Sequence, residues 1–223
     1  MKKIISRLKE QQQVEYTVFN SVPLVIKDKF TNNNINIKEL IISLETLIPQ
    51  FSKNLVNSII ILDHPLFNKR KINAFYHNNI LYISNHQDDN NDLLDDIIHE
   101  YSHALEEKYG AEIYLDNTIK DEFLSKRQQL ERILRSHQFD VLDYDFQELK
   151  YNLELDKLLL NVVGYEKFKN LTNHGLFINP YAATSLREYF ATVFEEYVLG
   201  DHKELEVISP KLYKKISEIM KML

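Results

Sequence analysis

The chain of 223 residues is 44% hydrophobic and 27% charged, and its formal net charge is -6 at pH 7. This length and composition are enough to bury one sizeable core, so we expect a single domain over 1–223. The acidic balance argues against a nucleic-acid-binding protein, because such proteins present a basic surface to phosphates. Since there is no cysteine, disulfides are excluded, and a metal ion would be held by imidazole and carboxylate groups.

No segment approaches the ~20 consecutive apolar residues that crossing a bilayer takes, so we expect no membrane partner. The amino terminus carries Lys2 and Lys3 but lacks the apolar stretch of a secretory signal. We therefore expect a cytoplasmic protein, or one exported by a signal-independent route.

The first 57 residues are predicted to form a region of helix and strand. Leu40, Leu44 and Leu47 recur at helical spacing, which favours an amphipathic helix. In chain order, the pattern predicts a basic helical start, a β-favouring stretch at 14–19, a turn near Pro23, a helix over 37–47 that Pro49 ends, and a second short helix up to 56.

Short strands follow before the central motif of the chain. The apolar run at 58–63 predicts a buried strand, and 72–76 with 80–84 predict a β-hairpin joined through Asn78 and Asn79. An exposed edge strand can pair with an extended peptide, and we take 80–84 as that edge. An ordinary sheet strand without a ligand is the alternative.

Helices dominate the remainder of the chain. Asp92 is the expected cap of a helix over 92–109, and Gly110 is expected to end it. The predicted apolar stripe of this helix comprises Leu94, Ile97, Ile98, Tyr101, Ala104 and Leu105. Further helices are predicted over 121–136, 148–163, 186–199 and 208–222. The fold class predicted is therefore α+β, mainly helical with a small mixed β-sheet.

The sequence H-E-x-x-H occurs at His99, Glu100 and His103. Residues four apart on a helix project from the same face, so both imidazoles can bind one metal ion. A neighbouring carboxylate can then take a proton from a zinc-bound water that attacks a peptide carbonyl. In a shuffled chain of this composition the motif is expected about 0.02 times. The alternative is two surface histidines and a solvated glutamate on an amphipathic helix.

A catalytic zinc site needs a third protein ligand, and the helix over 186–199 is the best source. Glu188 lies near its amino end, and Glu195 shares its face as the second candidate. The residues alone leave Glu188 open, because Ser185 and Glu188 also fit a capping box in which the glutamate only satisfies the start of the helix.

These residues resemble a known family, the gluzincin metallopeptidases related to the catalytic domain of anthrax lethal factor and to the clostridial Pro-Pro endopeptidases. One anchor is the run from His99 to Ala104, followed by Glu106 where the family commonly carries an acidic residue. The other is Tyr181 with Glu188 seven positions later, which opens an E-(aromatic)-F-A-x-x-F segment. The resemblance extends from about residue 58 to the end of the chain, including an acidic-polar turn at 200–204.

The resemblance implies a zincin-like fold with an active-site helix and a glutamate helix. It implies His99, His103 and Glu188 as ligands of Zn²⁺, and Glu100 as the general base. It also implies that Tyr181 stabilises the oxyanion, a role that one of 13 tyrosines would not otherwise have received.

Glu106, three positions beyond His103, could accept a hydrogen bond from the outer nitrogen of a ligand histidine. A solvated helix face containing Glu106 and Glu107 is the alternative. The other histidines have no pairing at ligand spacing and are expected in loops or on the surface: His64, His77, His86, His137, His174 and His202.

The chain departs from the family pattern between its two anchors, because 84 residues separate His103 from Glu188. We therefore expect a helical insertion over 117–160, which could roof the cleft and restrict substrates.

The function predicted is that of a zinc metalloendopeptidase with protein or peptide substrates. Because the resembled family includes secreted toxins, the chain is also a toxin candidate. Two alternatives remain. One is a catalytically inactive zinc-binding or regulatory protein with the same fold, and the other is a helical interaction module with a chance motif that binds no metal.

Overall fold

A computed structural model of the chain describes residues 14–49, 53–172, 175–200 and 202–221. Its contacts divide the chain into two units, Met1–Leu105 and Glu106–Leu223, and each is described by itself. The prediction of one domain over 1–223 stays a prediction. The predicted basic helical start lies outside the described residues.

The first unit is built on a five-stranded mixed sheet. Apolar residues alternate along its inner strands, so that Ile59, Ile61, Leu81 and Ile83 are fully buried on one face. The strands are β1 (Val14–Val18), β2 (Val22–Ile26), β3 (Ser58–Leu62), β4 (Ala74–His77) and β5 (Ile80–Ser84), in the order β1-β2-β3-β5-β4. β3 runs parallel to β2 and β5, and the pairs β1/β2 and β4/β5 are antiparallel.

The prediction that 80–84 forms an exposed edge is wrong. β5 pairs with β3 on one side, where Leu81 lies opposite Ile59, and with β4 on the other, where Tyr82 lies opposite Phe75. The edge position of this hairpin therefore belongs to β4. Both hairpin strands are apolar, so the sequence alone did not indicate which one would pair with β3.

Both antiparallel hairpins turn through left-handed backbone. Asn78 and Asn79 connect β4 to β5 with φ of 51° and 60°, as asparagine tolerates. Phe19 and Asn20 connect β1 to β2 with φ of 55° and 63°. The turn predicted near Pro23 therefore lies at 19–21, and Pro23 itself belongs to β2.

Phe19 combines this strained backbone conformation with a buried ring. The side chain is 4% exposed, and its ring meets Tyr101 edge-on with centroids 6.1 Å apart. Its backbone N–H also donates to the carboxylate of Glu45 at 3.1 Å.

Two short helices accompany the sheet. α1 (Ile37–Leu47) has the predicted bounds and begins at Asn36, whose side chain accepts from two backbone N–H groups. α2 (Pro65–Arg70) was not predicted, and His64 caps it by accepting from the N–H of Leu66 at 3.2 Å. The predicted second helix up to 56 falls partly on residues outside the description, and 53–56 form no helix.

The long helix α3 (Asn90–Tyr114) carries the H-E-x-x-H motif and continues from the first unit into the second. Its cap is Asp89, which accepts from two backbone N–H groups, and not Asp92, which lies inside the helix. The helix kinks at Tyr109, where the backbone leaves helical geometry, and a second helical stretch continues to Tyr114. The predicted end at Tyr109 and Gly110 therefore coincides with this kink.

The second unit consists mainly of helices. The elements are α4 (Thr118–Ser136), α5 (Leu153–Lys157), a π-helix (Leu158–Val163), α6 (Tyr165–Leu171), a 3₁₀ turn (Tyr181–Ala183), α7 (Leu186–Leu199), α8 (His202–Ile208) and α9 (Pro210–Met220). α7 has the predicted bounds, and α4 begins three residues earlier than predicted. The predicted helix over 148–163 is a shorter α5 followed by the π-helix. α6 and α8 were not predicted, and α8 begins within the predicted turn at 200–204.

α4 lies within the core of the second unit. Its side chains Ile119, Phe123, Leu130 and Leu134 are fully buried. Three charged side chains of α4 also point inward, and each bonds to another part of the unit: Glu122, Lys126 and Arg127. The first helix of the predicted insertion is therefore an internal element of this unit.

The predicted α+β class, mainly helical with a small mixed sheet, is confirmed. Over the described residues, no helix is both long enough and apolar enough to span a membrane.

Candidate metal centre

The first unit brings His99 and His103 together on one face of α3. They are separated by four positions, a little more than one helical turn, so both imidazoles project from the same side. Their ring centroids are 5.3 Å apart and the ring planes are nearly perpendicular, at 89°. The sequence prediction of neighbouring imidazoles is therefore confirmed.

Glu100 adds a carboxylate to this pair. One possible ligand atom from each of His99, Glu100 and His103 lies within 4.8 Å of the others. Glu100 is 8% exposed and His103 is 5% exposed, whereas His99 is partly exposed. Two imidazoles and a carboxylate form a suitable donor set for a divalent transition metal, so this buried group could bind a metal ion. It is the only such group within the described parts of the chain.

The opposite face of α3 fixes the helix against the core of the first unit. Ile97, Ile98 and Tyr101 are at most 1% exposed, as the predicted apolar stripe requires. Leu93, four positions before Ile97, is fully buried and completes this stripe, whereas the predicted Leu94 is partly exposed. The hydroxyl of Ser102 donates to the carbonyl of His99 at 2.6 Å. The histidines therefore stand on a well-anchored helix.

Asp96 is a buried carboxyl near the candidate metal group, and the sequence pattern had indicated it only as an acidic residue at the start of the helix. Its pKa is raised to about 7, mainly by burial and to a smaller extent by the carboxylates of Asp92 and Glu100. The hydrogen bond from the Gln87 amide, at 2.8 Å, and the nearby His99 act in the opposite direction. Asp96 lies one helical turn before Glu100, and this spacing was the available signal.

The second unit places Tyr181 and Glu188 on one short segment. Tyr181 begins the 3₁₀ turn, and Glu188 lies in the first turn of α7. Between them, Ser185 caps α7, and its hydroxyl accepts from the backbone N–H of Glu188 at 3.1 Å. The predicted serine cap is thus present. The side chains of Tyr181, Glu188 and Glu195 are each partly exposed, and their catalytic or ligand roles stay predictions.

Glu106 forms a polar cluster with Tyr114 and Arg187. The Tyr114 hydroxyl donates to Glu106 at 2.5 Å, and the guanidinium of Arg187 lies 3.6 Å from the other oxygen of the same carboxylate. The Glu106 side chain is only 15% exposed, so the solvated-face alternative does not describe it. Burial raises the pKa of Tyr114, and the carboxylates of Glu106 and Glu188 add to this effect. The predicted role of Glu106 toward a ligand histidine stays a prediction.

The remaining histidines agree with the surface prediction where they are described. His77, His86, His137 and His202 are exposed. His64 is partly buried as the cap of α2, and His174 lies outside the described residues.

The site and fold together define an α+β protein with a candidate metal-binding group. No protein-family model, curated protein or solved structure matches the chain. The resemblance to lethal-factor-like gluzincins therefore rests on the sequence motifs alone.

Proposed function

We propose that this protein is a zinc-dependent endopeptidase. The observation that carries the proposal is the close, largely buried group of His99, Glu100 and His103 on one helix. Two imidazoles four residues apart supply paired metal ligands, and the glutamate beside the first one supplies a base. The zincin-like assignment, with Zn²⁺ as the metal, belongs to this proposal.

In the proposed site, His99 and His103 are two ligands and Glu188 is the third. Zn²⁺ would supply Lewis acidity toward water and toward the scissile carbonyl. Glu188 is carried over from the resemblance, and its support here is a partly exposed carboxylate on a capped helix. Glu195 remains the second candidate for this position.

Glu100 is proposed to act as the general base. Its carboxylate accepts a proton from the attacking water and then delivers this proton to the leaving amine. Tyr181 is proposed to donate its hydroxyl to the oxyanion that develops on the carbonyl, which stabilises the transition state more than the ground state. The substrates would be proteins or peptides, cleaved at internal bonds.

The test compares wild type with Glu100→Gln on a diverse peptide library, with products identified by mass spectrometry and bound metal measured by elemental analysis. We expect cleavage by the wild type and at least a 10³-fold loss in Glu100→Gln, with zinc retained. Glu107→Gln is the matched control, because Glu107 is an exposed glutamate on the same helix.

Glu188→Gln distinguishes the proposed zinc ligand, Glu188, from the proposed general base, Glu100. We expect this variant to lose zinc, whereas Glu100→Gln keeps it. Loss of zinc from Glu100→Gln but not from Glu188→Gln would make Glu100 the ligand and overturn the assignment. Zinc binding by the wild type without any cleavage product would indicate the non-hydrolytic regulatory protein instead.

A further inference from the structure

Arg127 is a fully buried cation in the core of the second unit, with 0% of the residue exposed. Its guanidinium donates three hydrogen bonds, and all of them go to backbone carbonyls. The acceptors are Ala183 at 2.9 Å, Thr184 at 3.4 Å and Asp145 at 2.9 Å.

The remaining surface of the guanidinium faces aromatic rings. Its central carbon lies 5.3 Å from the ring centroid of Phe123 and 5.5 Å from that of Phe146, which is within cation–π range. Among the described residues, its buried Nε has no hydrogen-bond partner. The group is therefore held by its two terminal nitrogens, in one fixed orientation.

Burying such a charge is unfavourable by several kcal/mol unless its interactions compensate. Burial lowers the pKa of Arg127 to about 10, against the opposing effect of the Asp145 and Glu148 carboxylates. The side chain thus stays charged at neutral pH. An apolar residue at this position would avoid the free-energy cost of burying a charge. It would, however, leave the three carbonyls without hydrogen-bond donors.

The carbonyls bound by Arg127 lie at a distinctive place in the chain. Ala183 ends the 3₁₀ turn that Tyr181 begins, and Thr184 immediately precedes the Ser185 cap of the Glu188 helix. A second bond reinforces the tie, because the N–H of Leu186 donates to the carbonyl of Leu149 at 2.9 Å. The segment 183–186 is therefore fastened to residues 145–149 both directly and through Arg127.

We propose that Arg127 is a positioning residue that fixes Tyr181 and Glu188 relative to each other by binding the carbonyls between them. Its significance for catalysis rests on the proposed function above. The segment predicted as a roofing insertion would then be part of the catalytic framework, because it supplies both Arg127 and its third acceptor, Asp145.

Lys126 provides a matched control on the same helix. Its ammonium group is also largely buried and also donates to backbone carbonyls, those of Leu176 and Ile208. Neither acceptor lies within 181–188. Lys126→Met therefore removes a comparable buried cation without removing a hydrogen bond to 181–188, and its nearest tie to this segment is the ring of Tyr189, 5.8 Å from the ammonium.

The first test measures amide hydrogen exchange by mass spectrometry and requires no activity. We expect Arg127→Met to speed exchange at least tenfold in peptides covering 182–188, while Lys126→Met leaves these peptides within threefold of wild type. If Arg127→Met does not fold, Arg127→Lys replaces it, because it keeps the charge but lacks the two separate terminal nitrogens that bind Ala183 and Asp145. Exchange in 182–188 that is unchanged, or raised equally by both substitutions, would overturn the proposal.

The second test is a double-mutant cycle on peptide hydrolysis. We expect Arg127→Met to lower kcat at least tenfold with KM within twofold, and to lower it less than threefold when Tyr181→Phe is already present. Equal losses in both backgrounds would contradict action through Tyr181. If the wild type cleaves no peptide, the proposed function fails, and the exchange experiment alone decides whether Arg127 holds the segment.

Discussion

Tyr181 is a residue whose proposed role is confined to its hydroxyl group. Tyr181 is the first residue of the 3₁₀ turn. Its backbone carbonyl accepts a hydrogen bond from the Thr184 hydroxyl at 2.7 Å, so the backbone here is well fixed. Replacement by phenylalanine keeps these backbone bonds and removes only the donor. The substitution therefore tests the oxyanion role without a large change of structure.

We expect Tyr181→Phe to lower kcat by about 10²-fold, the usual effect of losing one oxyanion donor. Zinc content and KM should change little, because the hydroxyl acts mainly in the transition state. Steady-state kinetics with a cleaved library peptide measure the effect, and Tyr165→Phe on the exposed face of α6 is the control. Equal activities of wild type and Tyr181→Phe would remove Tyr181 from the mechanism.

At the residue scale, local spacing predicted what lies within one helix and little else. His99, Glu100 and His103 were predictable because a helix fixes the relation between neighbouring turns. Asp96 could have been found in the same way. Arg127 could not, because its partners at Asp145 and Ala183 are distant in sequence and offer only backbone carbonyls, which every residue has.

At the scale of elements, α4 joins its neighbours through charged side chains directed at backbone. Glu122 accepts from the backbone N–H groups of Lys211 and Leu212 at 2.9 and 3.0 Å, in the first turn of α9. Lys126 donates to the last residue of α8, Ile208. The carboxylate of Glu122 thus lies at the amino end of α9, and the ammonium of Lys126 lies at the carboxyl end of α8. Both charges interact favourably with the helix dipoles.

Burial lowers the pKa of Lys126 to about 8, while Glu122 opposes the shift. The unfolded chain holds this proton up to its ordinary pKa of about 10.5, so between pH 8 and 10.5 the unfolded state binds more protons than the native state. The buried charge of Lys126 therefore destabilises the native state fully at pH 7. This destabilisation decreases as the pH rises from 8 to 10.5.

We expect the free energy of unfolding of wild type, relative to Lys126→Met, to rise by on the order of 1–3 kcal/mol from pH 7 to pH 10.5. Denaturant titrations at several pH values measure this difference. Lys214→Met, at an exposed position on α9, should show no such trend. A constant difference between wild type and Lys126→Met would contradict the shifted pKa.

The predicted helices were most accurate where caps and apolar spacing agreed. α1 and α7 match their predicted bounds, because Asn36 and Ser185 mark their starts. The end predicted for α3 near Gly110 coincides with the kink at Tyr109, but a second helical stretch follows, since glycine permits a helix end and does not impose one. α6 and α8 were missed because each has only 7 residues, too few for helical spacing to be evident.

At the scale of the whole molecule, the fold class followed from the pattern, but the strand order did not. Strands β2, β3 and β5 are parallel neighbours that loops and helices separate in sequence. Such pairing depends on contacts between distant segments, which a single sequence does not display. The boundary between the two contact units lies inside α3, at Leu105, where the sequence pattern shows no break.

A bound metal should stabilise the whole chain, because the ligands come together only in the native state. With free zinc at 100 times its Kd, we expect about 2.7 kcal/mol of stabilisation, which corresponds to roughly 5–10 °C in Tm for a chain of this size. Calorimetry of zinc-loaded and chelator-treated protein measures the shift.

His103→Ala provides the control for this stabilisation, because it removes one of the two imidazoles. Its Tm should respond little to zinc. A Tm that zinc leaves unchanged in the wild type would favour the chance-motif alternative, in which the chain binds no metal.

The left-handed backbone at Phe19 limits how this part of the sequence can vary. Glycine would relieve the strain, about 1–2 kcal/mol for a residue with a Cβ, but it would remove the ring that packs against Tyr101. Other large side chains would restore the packing and keep the strain. Because Tyr101 directly follows Glu100, the turn between β1 and β2 packs against the residue next to a candidate site residue, so a substitution at Phe19 would be felt at the helix that carries the candidate metal ligands.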